Sequence, residues 1–237
     1  MNIIVFPQMP KNNRIPLTDK RAEHIIKVLR LKENDTFKMG IANKSEGTAT
    51  ITKISGKEIE FSYKPSGCCN MFPVTLIAGQ VRPICMKRIL REATSLGVGK
   101  IILTGTQTGE KSYAESGYYK KGEYKETLYD GAMQSGHAGI PEVVFSDNVQ
   151  DALKHIDRKD TSLVLLDNVT GSAPLREAEI LQNAVIAIGS ERGWTDEERK
   201  IFTDNGFKAM TIGSRILRTE TACSVGLGLL LSRMRLL

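Results

Sequence analysis

Near the C-terminus stands "IGSRILRTETA", Ile212 to Ala222. Gly213 is followed by Arg215, Arg218 and Glu220, with hydroxyls at Ser214, Thr219 and Thr221 and apolar side chains at Ile216 and Leu217. A glycine lets backbone groups approach a ligand without a Cβ in the way. A guanidinium stabilises negative charge that develops in a reaction. A carboxylate such as Glu220 accepts a proton or orients an arginine. Arg218 and Glu220 lie two residues apart, so they do not face each other as an i, i+4 helix pair would. A structural ion-pair network at an interface is the alternative to a chemical role. Two other segments break off in the same way. "LVLLDNVTG" ends at Asp167 to Gly171, and "AVIAIGSERGW" at Gly189 to Gly193, with Glu191 and Arg192 in the turn. In parallel sheets ligands bind beyond the carboxyl ends of the strands. These three strand ends are therefore the candidate site.

The elements that must position them come in two groups. From residue 71 onward, "VTLIAGQ", "KIILT", "EVVF", "LVLLD", "AVIAI" and "KAMTI" read as strands, with helical patterns between most of them. "CMKRILREATSLGV" puts Ile89, Ala93 and Leu96 on one helical face. Such alternation predicts an α/β domain with a parallel sheet covered by helices, over residues 71–237. Thr195 to Glu198 reads T-x-x-E, a capping box that opens the helix "DEERKIF". Residues 1–70 read differently. "NIIVFP" is a strand, "DKRAEHIIKVLRL" a helix burying Ala22, Ile25, Ile26 and Leu29, and the stretch after it short β runs, as in a small barrel. "PSGCCNMFP", Pro65 to Pro73, has the punctuation of a linker.

The net charge is +6, and residues 1–70 hold 12 Lys+Arg against 7 Asp+Glu while the remainder is nearly balanced. A basic surplus draws phosphate backbones by counterion release, or simply solubilises a surface. Arg14, Arg21, His24, Lys27 and Arg30 are the candidate phosphate-backbone contacts, with His24 also readable as an ordinary helix-surface residue. Tyr113, Tyr118, Tyr119 and Tyr124 form either a base-stacking platform or a plain helix face. "GTQTGEKS", Gly105 to Ser112, imitates a phosphate-binding P-loop, but its glycines are too close and Glu110 would repel phosphate. No G-x-G-x-x-G opens a helix after the first strand. Four cysteines without a C-x-x-C argue against zinc and a disulfide framework, and Cys85 and Cys223 read as core thiols. The longest useful apolar run, Val225 to Leu231, is too short to span a bilayer, and no signal peptide is evident. A cytoplasmic protein is expected, with no membrane and no metal.

"HIIKVLRL", "AIGSERGWTDEE" and above all "IGSRILRTETA" resemble the RsmE family of 16S ribosomal RNA uridine-N3 methyltransferases, in the SPOUT superfamily. The resemblance covers essentially the whole chain. It implies a PUA-like RNA-binding barrel over residues 1–70, a SPOUT domain with a trefoil knot over residues 71–237, and a homodimer. It implies S-adenosylmethionine as methyl donor and N3 of a uridine in the small-subunit 16S rRNA as acceptor. Leu166, Asp167, Gly189, Ser190, Glu191, Gly193, Ile212, Gly213, Ile216, Leu217 and Thr219 would then hold the cofactor, and Arg218, Glu220 and Arg192 would be catalytic, with Arg215 next in line. Ser190 and Ser214 stand where the family has prolines, and His137 where it has arginine. The alternative is a non-catalytic RNA-binding protein that keeps barrel and knot.

Overall fold

The computed structural model of the protein describes residues 2–168 and 173–237. It divides into two units, Met1–Asn70 with Ala132–Ile140, and Met71–Gly131 with Pro141–Leu237.

In the first unit β1 (Ile4–Phe6), β2 (Arg14–Pro16), β3 (Thr36–Ile41), β4 (Ser45–Ile54) and β5 (Glu58–Gly67) form a sheet of order β1-β3-β4-β5-β2. β1 runs parallel to β3 and the other pairs are antiparallel, so the sheet curls as a half-barrel. One face of it buries Ile4, Phe6, Phe37, Met39, Ile51, Ile59 and Phe61 together with Ala22 and Ile25 from the helical segment Lys20–Val28. Each of the Ile, Phe and Met side chains contributes about 1.5–3 kcal/mol when removed from water. That segment is not one α-helix. Asp19 caps α1 (Lys20–Glu23) by accepting from the Arg21 N–H at 2.8 Å, and a wider π turn, His24–Val28, follows, closed by the Leu29 N–H onto the His24 carbonyl at 2.9 Å. A π turn takes one residue more than an α turn. Leu29, expected in the core, is thereby rotated out and exposed.

The proposed linker is also shorter than its composition suggests. β5 runs on through Pro65 to Gly67. β2 pairs only with Glu58 to Glu60, so Pro65 lies where that edge of β5 has no neighbour needing its missing N–H. Ala132–Ile140 joins this unit through long-range polar contacts. The Ala138 N–H donates to Glu46 Oε1 at 2.7 Å, and the Asn43 side chain exchanges two hydrogen bonds with the backbone of Ile140 at 2.7 and 3.0 Å.

The second unit is a seven-stranded parallel sheet. β6 (Phe72–Gly79), β7 (Val98–Thr104), β8 (Glu142–Ser146), β9 (Thr161–Leu166), β10 (Ala173–Pro174), β11 (Asn183–Ile188) and β12 (Lys208–Thr211) lie in the order β10-β12-β9-β11-β6-β7-β8. The strands read as near-continuous Val/Ile/Leu runs because both faces are covered. Ile77, Ile102, Leu165, Val185 and Ala187 on one face pack with Val149 of α5 (Val149–Ala152), Phe202 of α6 (Asp196–Asp204) and Trp194. α2 (Pro83–Ser95) and α7 (Thr219–Arg233) pack together, and α7 also lies against β11. α2 buries Met86, Ile89, Leu90 and Ala93, and Leu96 is only its cap. α3 (Gly117–Lys120) and α4 (Tyr124–Ser135) connect β7 to β8. Among the described residues no helix is long and apolar enough to cross a membrane.

Candidate active site

The carboxyl ends of β9, β11 and β12 and the start of α7 enclose a cavity of about 690 Å³. It lies entirely within the second unit. Its floor is apolar, from Leu166, Ile188 and Met210. Leu166 and Ile188 are register partners on neighbouring strands, and Met210 is the partner of Leu166 on the other side. Sheet register therefore brings together positions far apart in sequence. Val169 to Gly171, the far end of the first candidate strand end, lie outside the described residues.

One wall is the turn Ser190–Gly193. The Gly193 N–H donates to the Ser190 carbonyl at 2.9 Å, and Gly193 has φ 69°. Gly189 is required by this turn rather than by a ligand, since a Cβ there would sit 2.8 Å from the Gly193 carbonyl carbon. Ser190 is buried, its hydroxyl 3.1 Å from that of Thr106. Glu191 is exposed and its Oε1 accepts from the Arg82 N–H at 3.3 Å. Trp194 is buried beneath the turn in edge contact with Phe202, ring centroids 4.8 Å apart. The next turn is held by the expected capping box. Glu198, itself buried, accepts from the N–H groups of Thr195 and Gln107, each at 2.8 Å.

The opposite wall is Ile212 to Thr219. Gly213 has φ 143°, which an L side chain rarely adopts. Ile216 is 84% exposed, an apolar side chain on the cavity rim with nothing over it, and Leu217 beside it is half-buried. Arg218 is the N-cap of α7 through its backbone, the Ala222 N–H donating to its carbonyl at 2.8 Å, which leaves the guanidinium outside the helix. Thr219 is buried, and Glu220 occupies the first helical turn with its side chain 12% exposed. The Arg88 guanidinium approaches Glu220 at 3.8 Å.

All the residues expected to hold a cofactor or act in catalysis thus line this one cavity. Their electrostatics differ. Asp167 is committed, its carboxylate held by Arg199, whose guanidinium also meets Asp196 at 2.8 Å. The hydrogen bond that Arg199 donates to Asp167 holds the Arg199 pKa above its ordinary value. Arg192, Arg215 and Arg218 have no ion-pair or hydrogen-bond partner for their guanidinium groups among the described residues. Arg199, Arg82 and Cys85 also line the cavity and escaped the reading of the sequence. The strand-end rule applied to β6 would have flagged Arg82, just beyond its carboxyl end. Cys85, expected in the core, is half-buried on the cavity wall, where burial and then the Glu220 charge push its thiol up and keep it protonated. Among the described residues no three His, Cys, Asp or Glu side chains group as a metal site requires.

The basic candidates of the first unit are partly occupied. Arg14 pairs with Glu58 at 2.9 Å and Glu60 at 3.3 Å. Arg21 pairs with Asp19 at 2.6 Å and lies 4.1 Å over the Phe6 ring. Lys27 pairs with Glu23 at 2.9 Å, both largely exposed. Arg30 is exposed at φ 55°, in the left-handed position that ends the helical segment. Burial lowers the pKa of His24, so its imidazole is neutral near pH 7. His137 approaches Glu46 at 3.4 Å.

Gly105 to Ser112 is no phosphate cradle. Its backbone folds on itself, Gly109 N–H to Thr106 carbonyl at 3.0 Å, and only a single 3₁₀ turn, Lys111–Tyr113, follows.

Comparison with known proteins agrees with this geometry. An RNA methyltransferase domain model matches residues 69–231, and an RNA methyltransferase PUA domain model residues 17–62. The chain is 37% identical to the Ribosomal RNA small subunit methyltransferase E of Treponema pallidum, over 98% of this chain and 91% of that protein. It is 34% identical to the Ribosomal RNA small subunit methyltransferase E 1 of Borreliella burgdorferi, over 94% of each. The crystal structure of the methyltransferase E of Neisseria gonorrhoeae bound to S-adenosyl methionine has the same fold, with a TM-score of 0.79 at 22% identity, over 98% of this chain and 97% of that one. With the methyltransferase model spanning more than half of the residues and relatives this similar along nearly their whole length, the chain belongs to the RsmE family of ribosomal RNA small subunit methyltransferases.

Proposed function

We propose that the protein methylates N3 of a uridine in 16S ribosomal RNA, with S-adenosylmethionine as donor, in the cavity between Gly189–Gly193 and Ile212–Leu217. The observation that carries this reading is the mixture on the cavity wall: an apolar floor, two turns of open backbone and three guanidinium groups without a partner among the described residues. The cavity volume is in the range of small-molecule sites. Leu166, Ile188, Met210 and Leu217 offer an apolar bed for a planar base, and the backbone of Gly189 and Ile212 to Gly213 offers polar edges for adenosine. The residues fit the donor, which when bound supplies an electrophilic methyl carbon on a sulfonium.

The chain's own task is to make uridine N3 nucleophilic. That nitrogen carries a proton, and losing it puts negative charge on the neighbouring carbonyl oxygens. Arg218 stabilises that charge, with Arg192 and Arg215 at the same mouth; a preorganised cation in a water-poor site lowers such barriers strongly. Glu220 accepts the proton. Ser190 and Ser214 do not obstruct the cavity, one being tied to Thr106 and the other exposed.

The first unit supplies RNA affinity in this reading, through Arg30 and Lys27 before the more heavily paired Arg14 and Arg21. A homodimer and a knotted path are part of it. Ile84 on α2 and Val225 on α7 are exposed apolar side chains, and Gly228 leaves open space for a close neighbour. The chain passes from β12, beyond β9, back to α7 against α2, as threading would require.

Calorimetric titration with S-adenosylmethionine, followed by methylation of isolated small subunits and of deproteinised rRNA with nucleoside analysis, tests the proposal. Saturable binding and a single N3-methyluridine are expected. Absence of binding at millimolar concentration, with RNA binding retained, would leave only the non-catalytic alternative.

A further inference from the structure

A second cavity, of about 540 Å³, opens beyond the carboxyl ends of β6, β7 and β8, again within the second unit. Two of its hydroxyls lack partners among the described residues. Ser146 is 7% and Tyr119 8% exposed, and neither Ser146 Oγ nor Tyr119 Oη has a hydrogen bond there. Native proteins rarely leave buried hydroxyls unpaired, so this pair, closed off from solvent just behind the cavity wall, marks groups that a ligand entering the cavity would draw out and complete. Burial pushes the Tyr119 phenol up, which keeps it an O–H donor. Phe145, 42% exposed, adds an aromatic wall, held by edge contacts to Tyr119 and Tyr124 with centroids 5.7 and 5.3 Å apart.

The charge on this wall selects against phosphate. Lys120 is neutralised by Glu115, and Lys111 is outnumbered by Glu110 and Asp147. What fits is a neutral, planar group with donors and acceptors on its edge. The cavity also adjoins the first. Thr106 lines the second cavity and Ser190 the first, and their hydroxyls are 3.1 Å apart, so the two linings meet at this pair.

We infer that this cavity receives a splayed-out nucleobase of the substrate RNA, a strand neighbour of the base delivered to the first cavity, with Phe145 as its stacking wall and Ser146 and Tyr119 as hydrogen-bond donors to its edge. Sequence-specific recognition of RNA works on such unstacked bases. The inference rests on the methyltransferase reading of the first cavity and names a further part of its substrate.

The test uses the whole protein and an rRNA fragment in which the uridine methylated by the wild type has been located by nucleoside analysis. Each flanking base is replaced in turn by an abasic nucleotide, and affinity is read by fluorescence anisotropy. One flanking position should weaken binding about tenfold, as loss of a stacked base does. Ser146→Ala and Tyr119→Phe should each weaken binding of intact RNA roughly threefold to tenfold, the range for one hydrogen bond. Neither should weaken the fragment lacking that base any further, because both changes remove the same contact. S-adenosylmethionine affinity should be unchanged in both variants, which also certifies their folding. Equivalent flanking positions, or losses that simply add, would overturn the inference while leaving the first cavity's reading intact. A wild type that neither binds nor methylates RNA removes both, and that result is seen before any variant is made.

Discussion

Arg192, Arg215 and Arg218 carry their charge at the cavity mouth without a counter-ion among the described residues, while Arg199 on the same wall is consumed by Asp167 and Asp196. An unpaired guanidinium is available to a developing anion, and a paired one orders the wall. Arg218→Ala should therefore lower kcat about 10²- to 10³-fold, the usual effect of removing one such donor. S-adenosylmethionine affinity and stability should hardly move, since Arg218 meets α7 only through its backbone; single-turnover kinetics and calorimetry read the two separately. His24 tests the other unit. Its Nε2 is buried without a hydrogen bond among the described residues, and burial depresses its pKa below the ordinary 6.5. The unfolded chain then takes up the proton first, so this contribution to stability is complete above pH 6.5 and is lost as pH falls through that value toward the folded-state pKa. Replacement by the non-titrating His24→Gln should flatten the stability profile between pH 7 and 5, measured by urea denaturation.

At the level of elements, the wall of the site is as firm as the start of α6. Glu198 is buried because its two oxygens satisfy the Thr195 and Gln107 N–H groups, tying the helix start to the loop after β7. Glu198→Ala removes the carboxylate half of the capping box and leaves the N–H groups of half-buried Thr195 and exposed Gln107 without their acceptor. A loss of about 1–2 kcal/mol is expected, the usual cost of a lost cap. Chemical denaturation measures it, and a loss below half that range would mean that water replaces the carboxylate. The T-x-x-E spacing was enough to place this cap, because a capping box is local. The π turn after α1 was not legible in the same way. Ala22, Ile25, Ile26 and Leu29 fit an α-helical face in sequence, and only packing against the half-barrel decides that Leu29 leaves it.

For the molecule as a whole, charge and apolar surface assign different tasks to the two units. The basic surplus lies in residues 1–70, where Lys27 is exposed and held only by a surface pair to Glu23, the kind that contributes little to stability. Lys27→Glu should weaken RNA binding and reduce the slope of log K against log salt by about one. An unchanged slope in filter-binding titrations would remove that surface from the RNA interface. In the second unit, Val225→Glu should turn a dimer into monomers in sedimentation equilibrium if the exposed stripe of α7 is the interface. The parallel sheet, six of its strand positions and the two turns with Gly and Arg after β11 and β12 were determined by the sequence alone, because strands buried on both faces must be continuous apolar runs and their ends need turn residues. Tertiary structure alone decided that Ala132–Ile140 clusters with the first unit, that Arg82 and Cys85 join the cavity wall, and which of its arginines lack a partner among the described residues. Those outcomes depend on side chains tens of residues apart meeting across a sheet. No local spacing encodes such a meeting; register and packing of the whole chain produce it.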